Sequence, residues 1–300
     1  MKVNYKECPL CENPGIKYLF TCQDYLVSGE SFEIFTCPQC RFEFTQNHPS
    51  EEELPDYYES ENYISHSDSG TSFTDKLYYF TRKIMLGRKK SSLKKITGIN
   101  RGILLDIGSG TGSFAAYMNK VGWDATGIEI NEKAREYSIK KHGIKAFGPG
   151  MLKSFADSSF DCITMWHVLE HLYDPLKTLT EVRRLLKSEH QALIALPNNF
   201  SHDSRHYKRF WAARDVPRHL WHFNPDSFTF IASKAGFEVT EVKRLHADVF
   251  YISYLSEKNK GSHLPFIKGI FKAMAFSFLS LFDKYKSSSL VYVIRPTVNK

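Results

Sequence analysis

One glycine-rich loop has the spacing of a site that binds a nucleoside-containing ligand. Residues Ile103–Gly112 read ILLDIGSGTG, an apolar run that leads into three closely spaced glycines, and a helix is expected over Ser113–Lys120. Glycines let a backbone turn sharply and approach a ligand closely, and the first turn of a helix offers free N–H groups. Glu129 ends the next apolar run, where its carboxylate is placed to accept hydrogen bonds from ribose hydroxyls.

Four cysteines form two C-x2-C pairs near the N-terminus. Cys8 and Cys11 are separated by 25 residues from Cys37 and Cys40. Four thiolates supply the closed tetrahedral shell of a structural Zn²⁺ and leave no open position for catalysis. Alternating apolar residues between the pairs predict short strands. Residues 1–47 are therefore expected to form a zinc-ribbon-like module.

A first group of titratable residues follows the apolar run Phe160–Trp166. It contains His167, Glu170 and His171. An unperturbed imidazole titrates near pH ~6.5 and can accept a proton at cellular pH. His171 is therefore a candidate base for a nucleophile that is a hydroxyl or a carbon acid. The alternative is that Glu170 and His171 hold the loop in place by hydrogen bonds.

A second group, Arg218, His219 and His222, lies within Val216–Phe223, which reads VPRHLWHF. Arg218 suits a phosphate or carboxylate group of a substrate. The alternative is that Arg218 bridges loop carbonyls. His219 and His222 are further candidates for a catalytic base.

The elements that position these residues alternate between strand and helix. Strands are expected at 103–106, 125–128, 144–147, 160–166, 191–196, 237–245 and 290–295, and helices at 113–120, 175–186 and 225–235. This order predicts an α/β fold with a mostly parallel sheet. Such sheets bind ligands at the carboxyl ends of their strands, where the loop residues named above are expected.

The loop pattern distinguishes two cofactor classes. The dinucleotide fingerprint G-x-G-x-x-G requires glycine or alanine at position 113, which is Ser113. The sequence Asp106-x-Gly-x-Gly-x-Gly instead resembles motif I of class I methyltransferases that use S-adenosylmethionine (SAM). Asp157–His171 and Ala195–Asn198 resemble the fourth-strand region and the post-fifth-strand loop of the ubiquinone- and menaquinone-biosynthesis type. Val216–Phe223 resembles a signature of a bacterial subfamily with a four-cysteine, zinc-binding N-terminal module.

This resemblance implies a Rossmann-like methyltransferase domain over 99–300 whose last strand is antiparallel. The implied SAM-binding residues are Asp106, Gly108, Ser109, Gly110, Gly112, Glu129, Ile130, Met151, Leu152 and Trp166. Many relatives have an Asp near residues 148–151 that contacts adenine, and this chain has no acid there. Met151 and Leu152 are expected to make apolar and backbone contacts instead. Ubiquinone-type enzymes carry E-x-x-E-H, which looks like a magnesium site, where His167 here replaces the first acid.

Residues 48–98 are expected to form a linker and then an amphipathic helix over 73–97. The second half of this helix is basic and contains Arg82, Lys83, Arg88, Lys89, Lys90, Lys94 and Lys95. Two interpretations stay open. The helix presents a solvated face while covering the next domain, or it forms an electrostatic patch for phosphate-bearing material.

A helical insertion is expected at about 250–287, before the last strand. Within Leu264–Lys286 the large apolar residues Ile267, Ile270, Phe271, Met274, Phe278 and Leu281 share one helical face. We expect this face to be buried against the domain or against a second copy of the chain. The alternative is a helix that lies on a membrane surface.

Composition narrows the class of protein. The chain has 300 residues, 42% of them hydrophobic, and a net charge of +7, which excludes gross disorder and weakly favours an anionic partner. The N-terminus lacks the apolar run of a signal peptide, and the longest apolar run, Ala273–Phe282, is short for a membrane span. A cytoplasmic protein is expected, with a membrane-peripheral one as the alternative.

The leading hypothesis is a SAM-dependent methyltransferase that acts at oxygen or carbon of a small molecule or of a carrier-linked sugar or lipid precursor. One alternative is an RNA methyltransferase whose zinc module and basic helix hold the phosphate backbone. Against it, the fifth-strand motif is not of the Asn/Asp-Pro-Pro-Tyr type. The other alternative is a non-catalytic protein with a SAM-binding fold, which the intact motif I argues against.

Overall fold

Two β-sheets form the framework of the protein. The computed structural model describes residues 2–58 and 86–297, apart from 88, 92 and 96. The strands of this part are β1 (Lys17–Gln23), β2 (Ser31–Thr36), β3 (Glu43–Gln46), β4 (Ile103–Ile107), β5 (Asp124–Ile128), β6 (Lys145–Phe147), β7 (Phe160–Trp166), β8 (Leu186–Pro197), β9 (Trp221–His222), β10 (Phe237–Arg244) and β11 (Ser289–Pro296).

The larger sheet has the predicted topology. Its seven described strands lie in the order β10-β11-β8-β7-β4-β5-β6. The pairs from β8 to β6 are parallel, whereas β11 runs antiparallel to both β8 and β10. The prediction of a mostly parallel, Rossmann-like sheet with an antiparallel last strand is confirmed. The carboxyl ends of β4, β5 and β7 meet at one edge, which brings their loops together.

Seven labelled helices connect these strands in the described part. They are α1 (Ser113–Lys120), α2 (Glu132–His142), α3 (Pro175–Leu185), α4 (His202–Tyr207), α5 (Pro225–Lys234), α6 (Asp248–Asn259) and α7 (Pro265–Phe282). Their first residues follow standard capping chemistry. Asp174 and Asn224 accept hydrogen bonds from N–H groups of the first turns of α3 and α5, and each is followed by a proline, whose missing N–H costs no helical hydrogen bond.

The N-terminal module is continuous with the larger domain. The smaller sheet has the order β1-β2-β3-β9, so its fourth strand comes from the methyltransferase-like region. Phe44 of β3 pairs with Trp221 of β9, and the Phe42 ring stacks on the Trp221 ring at 5.9 Å. The expected boundary at residue 47 therefore crosses a shared hydrophobic core that also contains Cys8, Cys37 and residues of β7 and β8.

The expected linker over 48–98 is only partly described. Residues Leu54–Tyr58 form a short 3-10 helix with Leu54 buried. The described residues between 86 and 97 are helical, and Leu93 is buried against the face of the larger sheet. The rest of the expected helix over 73–97, including Arg82, Lys83 and Arg88, lies outside the described residues.

The helical insertion folds as the antiparallel pair α6 and α7. The buried residues of α7 are Gly269, Ala273, Phe276 and Ser280, whereas most of the face expected to be buried is exposed in the single chain. The described residues of the domain therefore do not cover this face, and its burial against a second copy of the chain stays a prediction. The small residues let the backbones of α6 and α7 approach closely. A Cβ atom added at Gly269 would lie 2.7 Å from the Tyr254 Cα of α6, which is too close for a side chain. By length and composition alone, α7 is apolar enough to cross a membrane, with a mean hydropathy of 1.4. The expected short run Ala273–Phe282 is only its second half.

Candidate active site and cysteine cluster

The glycine loop leaves open space at the carboxyl edge of the larger sheet. Gly108 and Gly110 have φ of +72° and +53°, a left-handed conformation that favours glycine. A Cβ on Gly108 would lie 2.2 Å from Val168, whereas no described atom lies within 4 Å of the Cβ position of Gly110. Gly112 is the N-cap of α1, so the first turn of α1 begins at the end of this loop. The loop therefore has unfilled room at Gly110, next to the N-terminus of a helix.

Glu129 closes one side of this space. Its carboxylate accepts hydrogen bonds from Gly110 N at 2.8 Å and from Asn131 N at 2.9 Å. Ile130, the next residue, is 77% exposed. Met151 and Leu152 follow the neighbouring strand β6 and are half-buried. These positions fit the expected ribose contact and the two sides of an adenine.

Two polar atoms at this edge are buried and have no hydrogen-bond partner in the described part of the chain. They are Ser109 Oγ and Trp166 Nε1. Buried polar atoms are normally satisfied, so a bound group that supplies partners here would fit these two positions.

Asp106 has a different environment from the one expected for a cofactor contact. It lies inside the sheet, 2% exposed, and accepts a hydrogen bond of 2.6 Å from the Thr164 hydroxyl of β7. Burial raises the pKa of Asp106 to about 6, and the Thr164 hydrogen bond and Lys89 oppose that rise. Its contacts in this structure tie β4 to β7 beneath the loop.

His167 is held between two carboxylates. Its Nε2 lies 2.9 Å from Asp248 of α6, and its Nδ1 lies 3.5 Å from Glu170. Burial opposes protonation, but the hydrogen bonds with Asp248 and Glu170 raise the pKa of His167 to about 10. A ring that is already protonated and has both nitrogens engaged is not placed to accept a proton from a substrate.

His171 has the opposite properties. Burial and the neighbouring His219 lower the pKa of His171 to about 4, so its ring is neutral at cellular pH. Its Nδ1 lies 3.0 Å from the Tyr58 hydroxyl and 3.1 Å from the Arg218 carbonyl oxygen. If Nδ1–H donates to the Arg218 carbonyl oxygen, the lone pair of Nε2 is free to accept a proton. If Nδ1 instead accepts from Tyr58, the only lone pair of the ring is engaged.

Comparison with known proteins agrees with this site. A family model described as a methyltransferase domain matches residues 82–242, more than half of the chain. The chain belongs to this methyltransferase family. The prediction of a methyltransferase is therefore confirmed.

Individual relatives are more distant. The uncharacterized methyltransferase YcgJ of Bacillus subtilis (strain 168) is 36% identical over 100 residues, which cover 30% of this chain and only 39% of that relative. Magnesium protoporphyrin IX methyltransferase from Synechocystis PCC 6803, solved with bound SAH, is 11% identical and has a TM-score of 0.54, covering 83% of this chain and all of that one (100%). A chain from the Haloferax volcanii complex that contains the Trm112 methyltransferase activator has a TM-score of 0.51 and 15% identity, covering 75% and 92%. At these identities the solved structures are similar in fold alone.

Arg218 of the methyltransferase is fully committed to protein partners. It is 0% exposed, and Nη2 lies 2.8 Å from Asp24 and 2.7 Å from Asp215. Its Nη1 donates to the Tyr57 carbonyl oxygen at 2.8 Å. Of the two expected kinds of partner, an anion of the substrate or loop carbonyls, the structure shows two carbonyls, since Nη2 also donates to Val216 O at 3.4 Å. The two carboxylates of Asp24 and Asp215 are further partners, at the junction between the N-terminal module and the larger domain.

His219 and His222 belong to the same junction. His222 is buried in β9, where its Nε2 lies 3.1 Å from the Thr45 hydroxyl, and burial lowers its pKa well below the usual value. His219 Nδ1 lies 2.9 Å from the Ala213 carbonyl oxygen, and its ring meets that of His171 edge-on at 4.4 Å. His222 is therefore remote from open space, whereas His219 borders the candidate base.

Two clusters in the described residues bring metal-ligand atoms together. One ligand atom each from Glu170, His171 and His219 falls within 4.8 Å of the others. The four cysteines form the other cluster, in which Cys8 and Cys40 sulfurs, and Cys11 and Cys37 sulfurs, are 3.6 Å apart. A tetrahedral zinc with Zn–S bonds of about 2.3 Å requires sulfurs about 3.8 Å apart.

The two cysteine turns have the same backbone geometry. Glu12 follows Cys11 with φ of +63°, and its N–H donates to the Cys8 carbonyl oxygen at 2.8 Å. Arg41 follows Cys40 with φ of +56°, and its N–H donates to the Cys37 carbonyl oxygen at 2.9 Å. Each turn thus directs two sulfurs to one point.

Sequence reasoning missed three residues at the site. Tyr58 lies in the expected linker over 48–98, Asp248 lies just before the insertion expected at about 250–287, and Lys89 belongs to the basic half of the expected helix. The Nζ atom of Lys89 lies 4.1 Å from the centre of the Trp166 ring, and burial lowers the pKa of Lys89. None of the three is adjacent in sequence to the motif that it contacts, so their spacing carried no signal.

Proposed function

We propose that the protein is a SAM-dependent methyltransferase of the ubiquinone-biosynthesis-like type, acting at oxygen or carbon of a small or carrier-linked acceptor. The observation that carries this proposal is the unfilled space at Gly110, bordered by Glu129, whose carboxylate accepts a hydrogen bond from Gly110 N. The neutral imidazole of His171 follows β7 at the same edge of the sheet. Both loops follow carboxyl ends of neighbouring parallel strands, which supports a cofactor site and a proton acceptor at one edge.

The protein's side chains and backbone would bind the cofactor, orient it and remove a proton from the acceptor. SAM supplies a methyl group on a sulfonium, which is already activated for in-line displacement. The loop Gly108–Gly112 and Glu129 bind and orient the cofactor. His171 removes the proton of the nucleophile when that is a hydroxyl or a carbon acid. Tyr58, bonded to His171, is a positioning residue that fixes its tautomer.

A small or carrier-linked acceptor is favoured over RNA by the placement of the basic helix. Lys89 is turned toward Trp166 and away from solvent, and the described Leu93 is buried. Those side chains cannot bind a phosphate backbone that approaches from solvent. Of the other described cations of this helix, Lys94 and Lys95 are exposed and Lys90 is half-buried.

We propose further that the four cysteines bind one structural Zn²⁺. The spacing of the sulfurs supports this, and a closed thiolate shell stabilises folds without activating water. The module holds Thr45 against His219 and His222, and Asp24 against Arg218. The metal would therefore stabilise the active-site loop indirectly, through the contacts between the N-terminal module and the residues around Arg218 and His219.

The proposal is tested with purified full-length protein. Calorimetry should show binding of S-adenosylhomocysteine, and Gly110→Arg should abolish it by filling the open space. Labelled SAM with a fractionated cell extract should then transfer methyl groups into one acceptor class. Tighter binding of NAD than of S-adenosylhomocysteine would overturn the cofactor assignment, and transfer into the RNA fraction would overturn the acceptor assignment.

A further inference from the structure

Helix α7 presents a continuous apolar surface to solvent. Phe271 is 68% exposed and Phe278 59% exposed, and the large side chains of this surface recur every three or four residues. The members of this apolar arc are Phe266, Ile267, Ile270, Phe271, Met274, Phe278, Leu281 and Phe282. Large contiguous apolar surfaces on a folded protein mark sites of interaction.

The apolar arc is not needed to hold the insertion in place. A separate face of α7, formed by Gly269, Ala273, Phe276 and Ser280, contacts α6 and the segment that follows α4. The Ser280 hydroxyl donates to the Phe276 carbonyl oxygen at 2.8 Å. The fold of the described residues is therefore complete without any partner on the arc.

A basic edge borders the apolar arc. Lys268 and Lys272 are four residues apart on α7, beside Phe271. They line an open cleft of about 660 Å³ together with Lys260, His206, His263 and Glu257. Glu257 accepts a hydrogen bond from the hydroxyl of Ser262 in the same cleft and stays ionised. Three lysines against this one carboxylate give the cleft a net positive charge, which suits a phosphate group.

The segment that contains α7 carries a net positive charge. Residues 258–286 contain six lysines and one acid, Asp283, which lies 3.4 Å from Lys286. A second copy of the chain docked symmetrically on the arc would bring these lysines together, and like charges repel. An anionic surface is instead complementary to them.

We propose that α6 and α7 dock the protein on an anionic lipid bilayer, with the apolar arc in the acyl-chain boundary and a lipid phosphate in the basic cleft. Helices of this kind have one apolar face, one lysine-rich face and a location in the plane of the interface. A spanning orientation is disfavoured, because Lys268 and Lys272 lie in the first half of α7 and one face is packed on α6.

The docking unit is joined to the active site. α6 begins at Asp248, whose carboxylate bonds to His167 at 2.9 Å, and α6 is the helix on which α7 packs. When α7 lies on the bilayer, α6 therefore links the bilayer to the carboxyl edge of the larger sheet.

Cosedimentation of the full-length protein with vesicles tests the proposal. Binding to phosphatidylcholine vesicles that contain phosphatidylglycerol is expected, with weaker binding to phosphatidylcholine alone and at high salt. Lys268→Glu with Lys272→Glu should lower the partition coefficient on anionic vesicles by about tenfold or more. Phe271→Ser with Phe278→Ser should lower it on both kinds of vesicle.

Matched controls use exposed residues of α2 and α5. Lys133→Glu with Lys141→Glu, and Ile139→Ser with Phe230→Ser, should leave partitioning within about twofold. Equal binding of wild type and Phe271→Ser/Phe278→Ser would overturn the proposal, as would binding of inorganic phosphate without binding of vesicles. Release from vesicles only by detergent, and not by alkaline carbonate, would show a spanning helix instead.

Two measurements exclude the other occupants of the arc. A dimer that dissociates on Phe271→Ser/Phe278→Ser, without vesicle binding, would assign the arc to a second copy. Exposed substitutions shift stability little, so a Tm loss of more than about 5 °C in that variant would show that another part of the chain, such as 59–85, covers the arc. Either result contradicts the proposal.

Discussion

Arg218, in the loop before β9, donates a 2.8 Å hydrogen bond to Asp24, in the turn between β1 and β2, and both side chains are removed from solvent. Asp24 also accepts hydrogen bonds from the N–H groups of Leu26 and Ser28. Burial would raise the pKa of Asp24, but Arg218 and Ser28 lower it to about 2. The pair joins the cysteine module to the loop that carries His219.

Breaking this pair should destabilise the protein strongly. Arg218→Met leaves Asp24 and Asp215 buried without a cation, which costs about 3–5 kcal/mol. Asp24→Asn should cost less, because Asp215 still balances Arg218. Chemical denaturation gives the free energies of unfolding, and affinity for S-adenosylhomocysteine in the folded protein should change little. A raised KM with unchanged stability would instead identify Arg218 as a substrate-binding residue.

The same pair predicts a dependence on acid. The folded pKa of Asp24, about 2, is below its unfolded value of about 3.8. Its contribution to stability is therefore present above about pH 4 and is lost as the pH falls toward 2. Unfolding free energies across this range should show a shallower acid slope in Asp24→Asn than in the wild type.

His167 predicts the opposite dependence at alkaline pH. Its folded pKa of about 10 is above the unfolded value of about 6.5. The stabilisation is fully present below about pH 6.5 and is lost as the pH rises through 10. The Tm should fall as the pH rises from about 6.5 to about 10, and this fall should be smaller in Asp248→Asn, which removes the partner at Nε2.

An exposed pair provides the control for His167. Lys243 and Glu241 lie 3.2 Å apart at the surface, and Glu241→Gln should leave the alkaline Tm profile unchanged. NMR of the imidazole nitrogens should show His167 protonated from pH 6 to 8. A His167 titration near pH 6.5 would contradict the prediction.

Metal analysis should find about one zinc per chain. Cys37→Ser should remove it and lower the Tm, and unfolding should stay a single transition because Cys8, Cys37 and Phe44 share a core with the larger domain. Cys22 is buried outside the cluster, so Cys22→Ala should retain the metal. Unchanged zinc content in Cys37→Ser, or a disulfide in the reduced protein, would argue against the site.

The sequence predicts those features that depend on residues close together in the chain, such as strand bounds and motif spacing. The strand β7 was predicted at its observed bounds, and the glycine loop and cysteine pairs lie where spacing placed them. The two-residue strand β9 was missed because it is too short for a periodic signal and pairs with β3, far away in sequence. For α7, periodicity showed which residues share a face. It did not show that Gly269 and Ala273 would make the closer contact with α6.

The assignment of a base to His171 predicts a separation of binding from catalysis. His171→Ala should keep the affinity for S-adenosylhomocysteine and lower kcat by roughly 10²- to 10⁴-fold, measured with labelled SAM and the acceptor fraction. Because the pKa of His171 is about 4, activity should persist from pH 7 down to about pH 5. Tyr58→Phe should lower kcat less and leave KM for SAM unchanged.

Two outcomes would reassign His171. If His171→Ala weakens S-adenosylhomocysteine binding and lowers the Tm with little loss of kcat, the residue anchors the loop, and His219, at 4.4 Å between ring centres, becomes the candidate base. If added Mg²⁺ or Mn²⁺ raises kcat and Glu170→Gln removes that effect, Glu170, His171 and His219 hold a metal. Without either effect, His171 stays the candidate base among the described residues, since His167 is protonated and His222 is buried against Thr45.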